Sequence, residues 1–147
     1  MQKLETESYA MVGVQFLCIA LLIYFLLGVP LAILTVIMIT VATGLGLWAI
    51  FTMRFGNIRI QPVPKEDAQL ISGGPYRLMR HPMYAAVLLA MLGVAINIGT
   101  WYSYVIWIIL LLDLLIKLRF EEKLLLGKFP EYREYMKHTK RLLPWLW

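Results

Sequence analysis

The residues best equipped for chemistry fall in two clusters. The first is Gly73-Gly74-Pro75-Tyr76-Arg77-Leu78-Met79-Arg80-His81-Pro82-Met83-Tyr84. Pro82 suits the first position of a helix, which makes His81 its cap. A helix start carries unpaired N–H groups and a partial positive charge, so it favours a carboxylate or phosphate. Arg80 and His81 add donors there, Tyr84 follows one turn on, and the glycines let backbone approach a ligand closely. The second cluster is Glu121-Glu122, whose side chains leave a helix about 100° apart. One can face a ligand while the other pairs with Arg119, Lys123 or the arginines of the loop 54–80. Taken singly, each residue has a plain structural reading: Arg80 snorkelling to headgroups, Tyr84 in an interface, the Glu pair on a solvated helix face. Together they offer an anion-binding helix start and a carboxylate pair, which suits a ligand carrying both charges.

The elements that must position these groups follow from where charge is missing. Ser8 to Met53 is 46 residues without Asp, Glu, Lys or Arg, and His81 to Leu112 is another 32. A soluble domain needs charged helix faces, so the pattern is that of an all-α integral membrane protein. Each run is too long for one span of about 20 residues and breaks near its middle. Gly28-Val29-Pro30 separates spans 9–27 and 31–53, with Pro30 starting the second, and Asn97-Ile98-Gly99-Thr100 separates 82–96 and 101–118. The expectation is a single domain over 1–147. Two hairpins are joined by a loop, 54–81, which Pro62, Pro64 and Gly73-Gly74-Pro75 make irregular. A C-terminal helical segment, 119–147, is amphipathic as far as Phe129-Pro130, with a second short helix from Glu131 to Lys140.

Orientation follows from the basic residues. Arg54, Arg59, Lys65, Arg77 and Arg80 crowd the middle loop and eight more Lys or Arg lie from Lys117 onward, whereas the hairpin tips hold none. Loop, tail and N-terminus are therefore expected on the cytoplasmic side, with Trp101, Tyr102, Tyr104 and Trp107 at the far interface and Trp145 and Trp147 near the cytoplasmic one. The N-terminal segment reads as a span and not as a cleavable signal. The net charge of +5 reflects these flanks, and nucleic acid is not an expected partner. The lone Cys18 excludes a disulfide framework, and no metal-ligand spacing or nucleophilic triad occurs. Weaker signals are Asp113 inside the fourth span, read as an ion pair with Lys117, the pair Gly44 and Gly46 as a close helix contact, Asn97 as a hairpin cap, and His138, which has no second ligand nearby.

Gly74-Pro75-Tyr76, Arg80-His81-Pro82-Met83-Tyr84, Glu121-Glu122, Phe129-Pro130-Glu131-Tyr132, Tyr135 and Arg141-x-x-Pro144 in this order resemble the isoprenylcysteine carboxyl methyltransferase family in its short prokaryotic form. They are also similar to phospholipid N-methyltransferases. The resemblance covers about residues 70–147. It implies S-adenosylmethionine as cofactor, bound by Tyr76, Arg80, His81, Pro82, Tyr84, Glu121 and Glu122, with Arg141 a candidate contact for cofactor or substrate. It further implies direct methyl transfer, for which no catalytic acid or base is assigned, in a prokaryotic inner or plasma membrane. The acceptor is lipophilic or amphiphilic: an isoprenylcysteine carboxylate, a phospholipid amine or a small thiol. Two alternatives stand beside it. Membrane sterol reductases that use NADPH look similar here, although Met83 stands where their Asn falls. A non-enzymatic membrane scaffold would use the same loop only as an interface.

Overall fold

The computed structural model describes residues 2–57 and 70–143, with side chains over 9–53 and 70–143. The described residues form helices and no strand: α1 (Gln2–Leu26), α2 (Ile33–Asn57), a 3-10 turn (Gly74–Arg77), α3 (Pro82–Ile98), α4 (Trp101–Lys128) and α5 (Tyr132–His138). Arg54, Arg59, Lys65, Pro62, Pro64, Pro144, Trp145 and Trp147, which entered the loop and orientation readings, lie outside the described side chains.

Among the described residues, two helices are long and apolar enough to cross a membrane, Tyr9–Leu26 and Ile33–Met53, while α3 is apolar but 17 residues long. Large hydrophobics such as Phe16, Tyr24, Ile33, Trp48 and Phe51 stay exposed on α1 and α2. Helices apolar on every side satisfy their own backbone and suit a hydrocarbon solvent. Two of the four expected spans thus meet the requirement unaided. α4 is different: the fourth span and the amphipathic segment after it form one unbroken helix of 28 residues. No Gly or Pro falls between Trp101 and Arg119 or on to Leu126, so nothing in the sequence interrupts it.

α2 packs chiefly on α3, and α4 lies against α1 and α3. The core is built from Leu110, Leu114 and Leu118 of α4, Cys18 of α1, Leu88 of α3 and Leu142 of the tail. Among the described helical glycines, the tightest contact with another helix is not at those singled out in the sequence. Gly44 faces open space and Gly46 meets Ala86 at 3.7 Å, whereas a Cβ on Gly93 of α3 would lie 3.0 Å from Met38 of α2.

Both hairpin tips gather at one end. Gly99 takes the left-handed conformation that ends α3 two residues later than expected, with φ 69° and its N–H bonded to Ala95. Asn97 does not serve its own hairpin. Its Oδ1 accepts from the Ala32 N–H at 2.7 Å and the Thr35 hydroxyl at 3.0 Å, and its Nδ2 donates to the Pro30 carbonyl at 3.1 Å. This cross-hairpin cap explains why α2 begins at Ile33 and not just after Pro30. Phe25 of α1 and Tyr102 of α4 meet at the same end, with ring centroids 4.9 Å apart. Among the described residues, the charged groups at the start of α3, the end of α4 and the tail lie at the other.

Candidate active site at the start of α3

The segment entering α3 is shaped by close packing. Gly74 has φ 53°, and a Cβ there would collide with the Thr52 side chain of α2, so only glycine serves. The following turn buries Pro75 and Tyr76. The chain then runs beside the C-terminal tail. Met79 and Lys140 form a parallel bridge, the Arg80 N–H donates to the Lys140 carbonyl at 2.7 Å, and the His81 N–H donates to the Arg141 carbonyl at 3.0 Å. Tyr135 of α5 reinforces this strap by donating its hydroxyl to the Tyr76 carbonyl at 2.5 Å. His81 is the N-cap of α3 and Pro82 its first residue, as the sequence predicts, and no side chain caps that helix start among the described residues.

The charged groups assemble around two adjacent carboxylates with different fates. Glu122 is buried between two arginines: Arg80 Nε is 2.7 Å from its Oε1 and Arg141 Nε is 3.1 Å from its Oε2. Arg80 also donates to the carbonyls of Met136 and Thr139, which ties α5 to the cluster. Burial alone would raise the pKa of Glu122, but neighbouring His81 and Arg80 override it and hold the carboxyl at about 2. Glu121 points elsewhere. Its side chain stays 28% exposed, accepts the Tyr84 hydroxyl at 3.0 Å, and lies 3.6 Å from His81 Nδ1. The rings of His81 and Tyr84 stack at 5.3 Å, nearly parallel. His81 Nε2 is buried 3.5 Å from Glu122 Oε1, yet has no hydrogen-bond partner among the described residues. Burial raises the phenol pKa of Tyr76 and Tyr132, and pushes that of Tyr135 to about 12, so all three stay neutral near pH 7.

Arg80, His81, Tyr84, Glu121, Glu122 and Arg141 are therefore brought into one cluster. Pro82 contributes backbone shape. Tyr76 sits at its edge, with its hydroxyl 4.0 Å from the Met53 sulfur. Arg119 and Lys123 are exposed, and the pairing anticipated for one glutamate falls to Arg80 and Arg141. His138 lies in the last turn of α5, 3.2 Å from Glu134. Asp113 and Lys117 do not form the expected ion pair. Lys117 turns to Gln15 of α1, while Asp113 Oδ2 is buried without a hydrogen-bond partner among the described residues.

Beside the cluster, an apolar groove of about 460 Å³ runs between α3 and α4, lined by Ala85, Leu88, Leu92, Trp107, Leu111 and Leu142 among others. The Trp107 N–H is taken by the Leu88 carbonyl at 3.0 Å, so even this residue offers the groove no donor. Ala85 follows Tyr84 and Leu142 follows Arg141, which puts one end of the groove against the charged cluster.

A helical chain with apolar hairpins, an uncapped helix start and a facing glutamate pair defines a class that the comparisons identify. Residues 24–131, nearly three quarters of the chain, match the phospholipid methyltransferase family, and the chain belongs to it. This is the family of isoprenylcysteine carboxyl methyltransferase-like proteins. Over 81 residues the chain is also 32% identical to the cobalt-zinc-cadmium resistance protein CzcN of Cupriavidus metallidurans. That match takes in 54% of this chain and 38% of CzcN, so the chain covers well under two thirds of that protein's length.

Proposed function

We propose that the protein is an integral membrane methyltransferase that uses S-adenosylmethionine to methylate a lipophilic or amphiphilic acceptor. The observation that carries this reading is the division of labour between the two glutamates. Two arginines satisfy Glu122, which leaves Glu121 as a partly exposed carboxylate beside an uncapped helix start. The donor's amino-acid end has an ammonium and a carboxylate. Glu121, oriented by Tyr84, would take the ammonium; the N–H groups at the start of α3 would take the carboxylate. Tyr76 forms part of the wall, and Arg80 and Arg141 act through Glu122 to hold the strap in place.

When bound, the donor supplies a methyl group already activated by a sulfonium. The protein's tasks are then alignment and exclusion of water, and no general base is required of the cluster. The apolar groove supports an acceptor with a hydrocarbon tail, either an isoprenylcysteine carboxylate-like molecule or a phospholipid amine, over a small thiol. In this reading the four long helices cross the membrane as two hairpins with their tips on the far side. Both chain ends and the cluster face the cytoplasm, in keeping with the Lys and Arg of the loop and tail.

Calorimetry on detergent-purified protein tests the proposal directly. S-adenosylmethionine and S-adenosylhomocysteine are expected to bind and NADPH is not. Binding of NADPH alone would overturn the reading in favour of a reductase, and binding of none by folded protein in favour of a scaffold. Transfer of radiolabelled methyl into a lipid extract then identifies the acceptor.

A further inference from the structure

Lys117 is a buried ammonium that the cluster described above does not account for. It lies on α4 with 1% of its surface exposed, between the core residues Leu114 and Leu118. An ammonium in such a place is costly unless its neighbours compensate it. The compensation comes from three directions. Nζ is 2.8 Å from Gln15 Oε1 of α1, and it stands 5.5 Å from the centre of the Tyr84 ring. Asp113 and Glu121 lie one turn before and one turn after it on the same face of α4. Tyr84 in turn donates to Glu121 at 3.0 Å and stacks on His81.

We infer that Lys117, anchored by Gln15, is a positioning residue for the donor site: it fixes the Tyr84 ring, and through the Tyr84 hydroxyl it fixes the partly exposed carboxylate of Glu121. This rests on the donor reading proposed above. It also gives α1 a role that no motif announces. Gln15 lies before residue 24, outside the stretch that matches the family, yet its amide holds a lysine inside that stretch. α1 is therefore more than a membrane anchor. It sets the geometry of Glu121 through two side chains, neither of which touches the ligand.

The test is S-adenosylhomocysteine binding to the full chain in detergent, measured by calorimetry for native protein and five variants. Lys117→Met is expected to raise Kd about tenfold, the scale of one lost charge-assisted contact, and Lys117→Arg to remain within about threefold of native. Gln15→Leu should weaken binding in the same direction by less. A lysine that acts through the Tyr84 hydroxyl has nothing left to act on in Tyr84→Phe, so the double variant Lys117→Met/Tyr84→Phe should bind no more weakly than Tyr84→Phe alone. Additive losses, or native affinity in Lys117→Met, overturn the inference. If Lys117→Met does not fold, native affinity in Gln15→Leu overturns it. Native protein that fails to bind at all overturns the donor reading instead.

Discussion

At the hairpin-tip end, Asn97 ties two hairpins together with three hydrogen bonds, to a backbone N–H, a hydroxyl and a carbonyl. Ser103 closes the tip of the second hairpin alone, its hydroxyl donating to the carbonyls of Ala95 and Thr100. No charge is involved in these contacts. At the opposite end, Arg80, Arg141, His81 and two glutamates crowd around the start of α3, with one imidazole nitrogen left without a hydrogen bond among the described residues. Neutral groups that match one another close a structure. Charged groups held in excess, with one carboxylate partly open to solvent, keep capacity for a ligand that is charged itself. The tips are therefore read as scaffold and the charged end as site.

The comparison breaks most visibly at Glu122. Glu122→Ala leaves Arg80 buried without its counter-charge and should destabilise the protein by about 3–5 kcal/mol, seen as a large drop in the thermal midpoint in detergent. A change no larger than that at the tips would mean that the charged cluster is not what holds the strap. The same carboxyl gives a pH signature. Its folded pKa of about 2 lies below the ordinary 4.5, so its contribution is complete above about pH 4.5 and is lost as pH falls toward 2. Acid unfolding should follow that window in native protein and flatten in Glu122→Gln.

Asn97→Ala should cost about 1–3 kcal/mol through the unpaired groups it leaves, measured by thermal unfolding, with no change in donor affinity. An altered affinity would show that the tip end is coupled to the site. Glu121→Gln should do the reverse, weakening S-adenosylhomocysteine binding about tenfold by calorimetry while the midpoint stays within a few degrees. The smallest effect is expected at Glu134, whose contacts with Lys137 and His138 lie on an exposed helix face. Glu134→Ala should leave both stability and affinity unchanged, because exposed ion pairs contribute little.

Much of this was legible in the residues themselves. Pro82 announced the start of α3 because its ring leaves few other places in a helix, and the uncharged runs with their Gly-Val-Pro and Asn-Ile-Gly-Thr breaks announced the paired helices. Glu121 and Glu122 could be expected to diverge, since neighbours on a helix face different ways. The loop arginines were among the candidate partners for one glutamate, but which of them would take Glu122, and that Arg141 would join it, was not legible. Arg119 and Lys123 are near in sequence, but the pairing with Arg80 and Arg141 depends on a tail that folds back along residues 79–81, and parallel pairing over such a distance has no local signal. Asn97 and Gln15 were hidden for a related reason. Each sits in an apolar run, and only the packing of a different hairpin or helix gives its amide something to bind.

The unbroken course of α4 has a last consequence. Glu121 stands twenty residues after Trp101. At the rise of an α-helix that separation is about 30 Å, close to the thickness of a bilayer's hydrocarbon layer. Spanning the membrane as proposed, the helix works as a ruler. With Trp101 resting at one boundary, the carboxylate is set at the height of the other, and a thicker or thinner bilayer would move it relative to the headgroups. Donor affinity in nanodiscs of graded lipid length would then register membrane thickness.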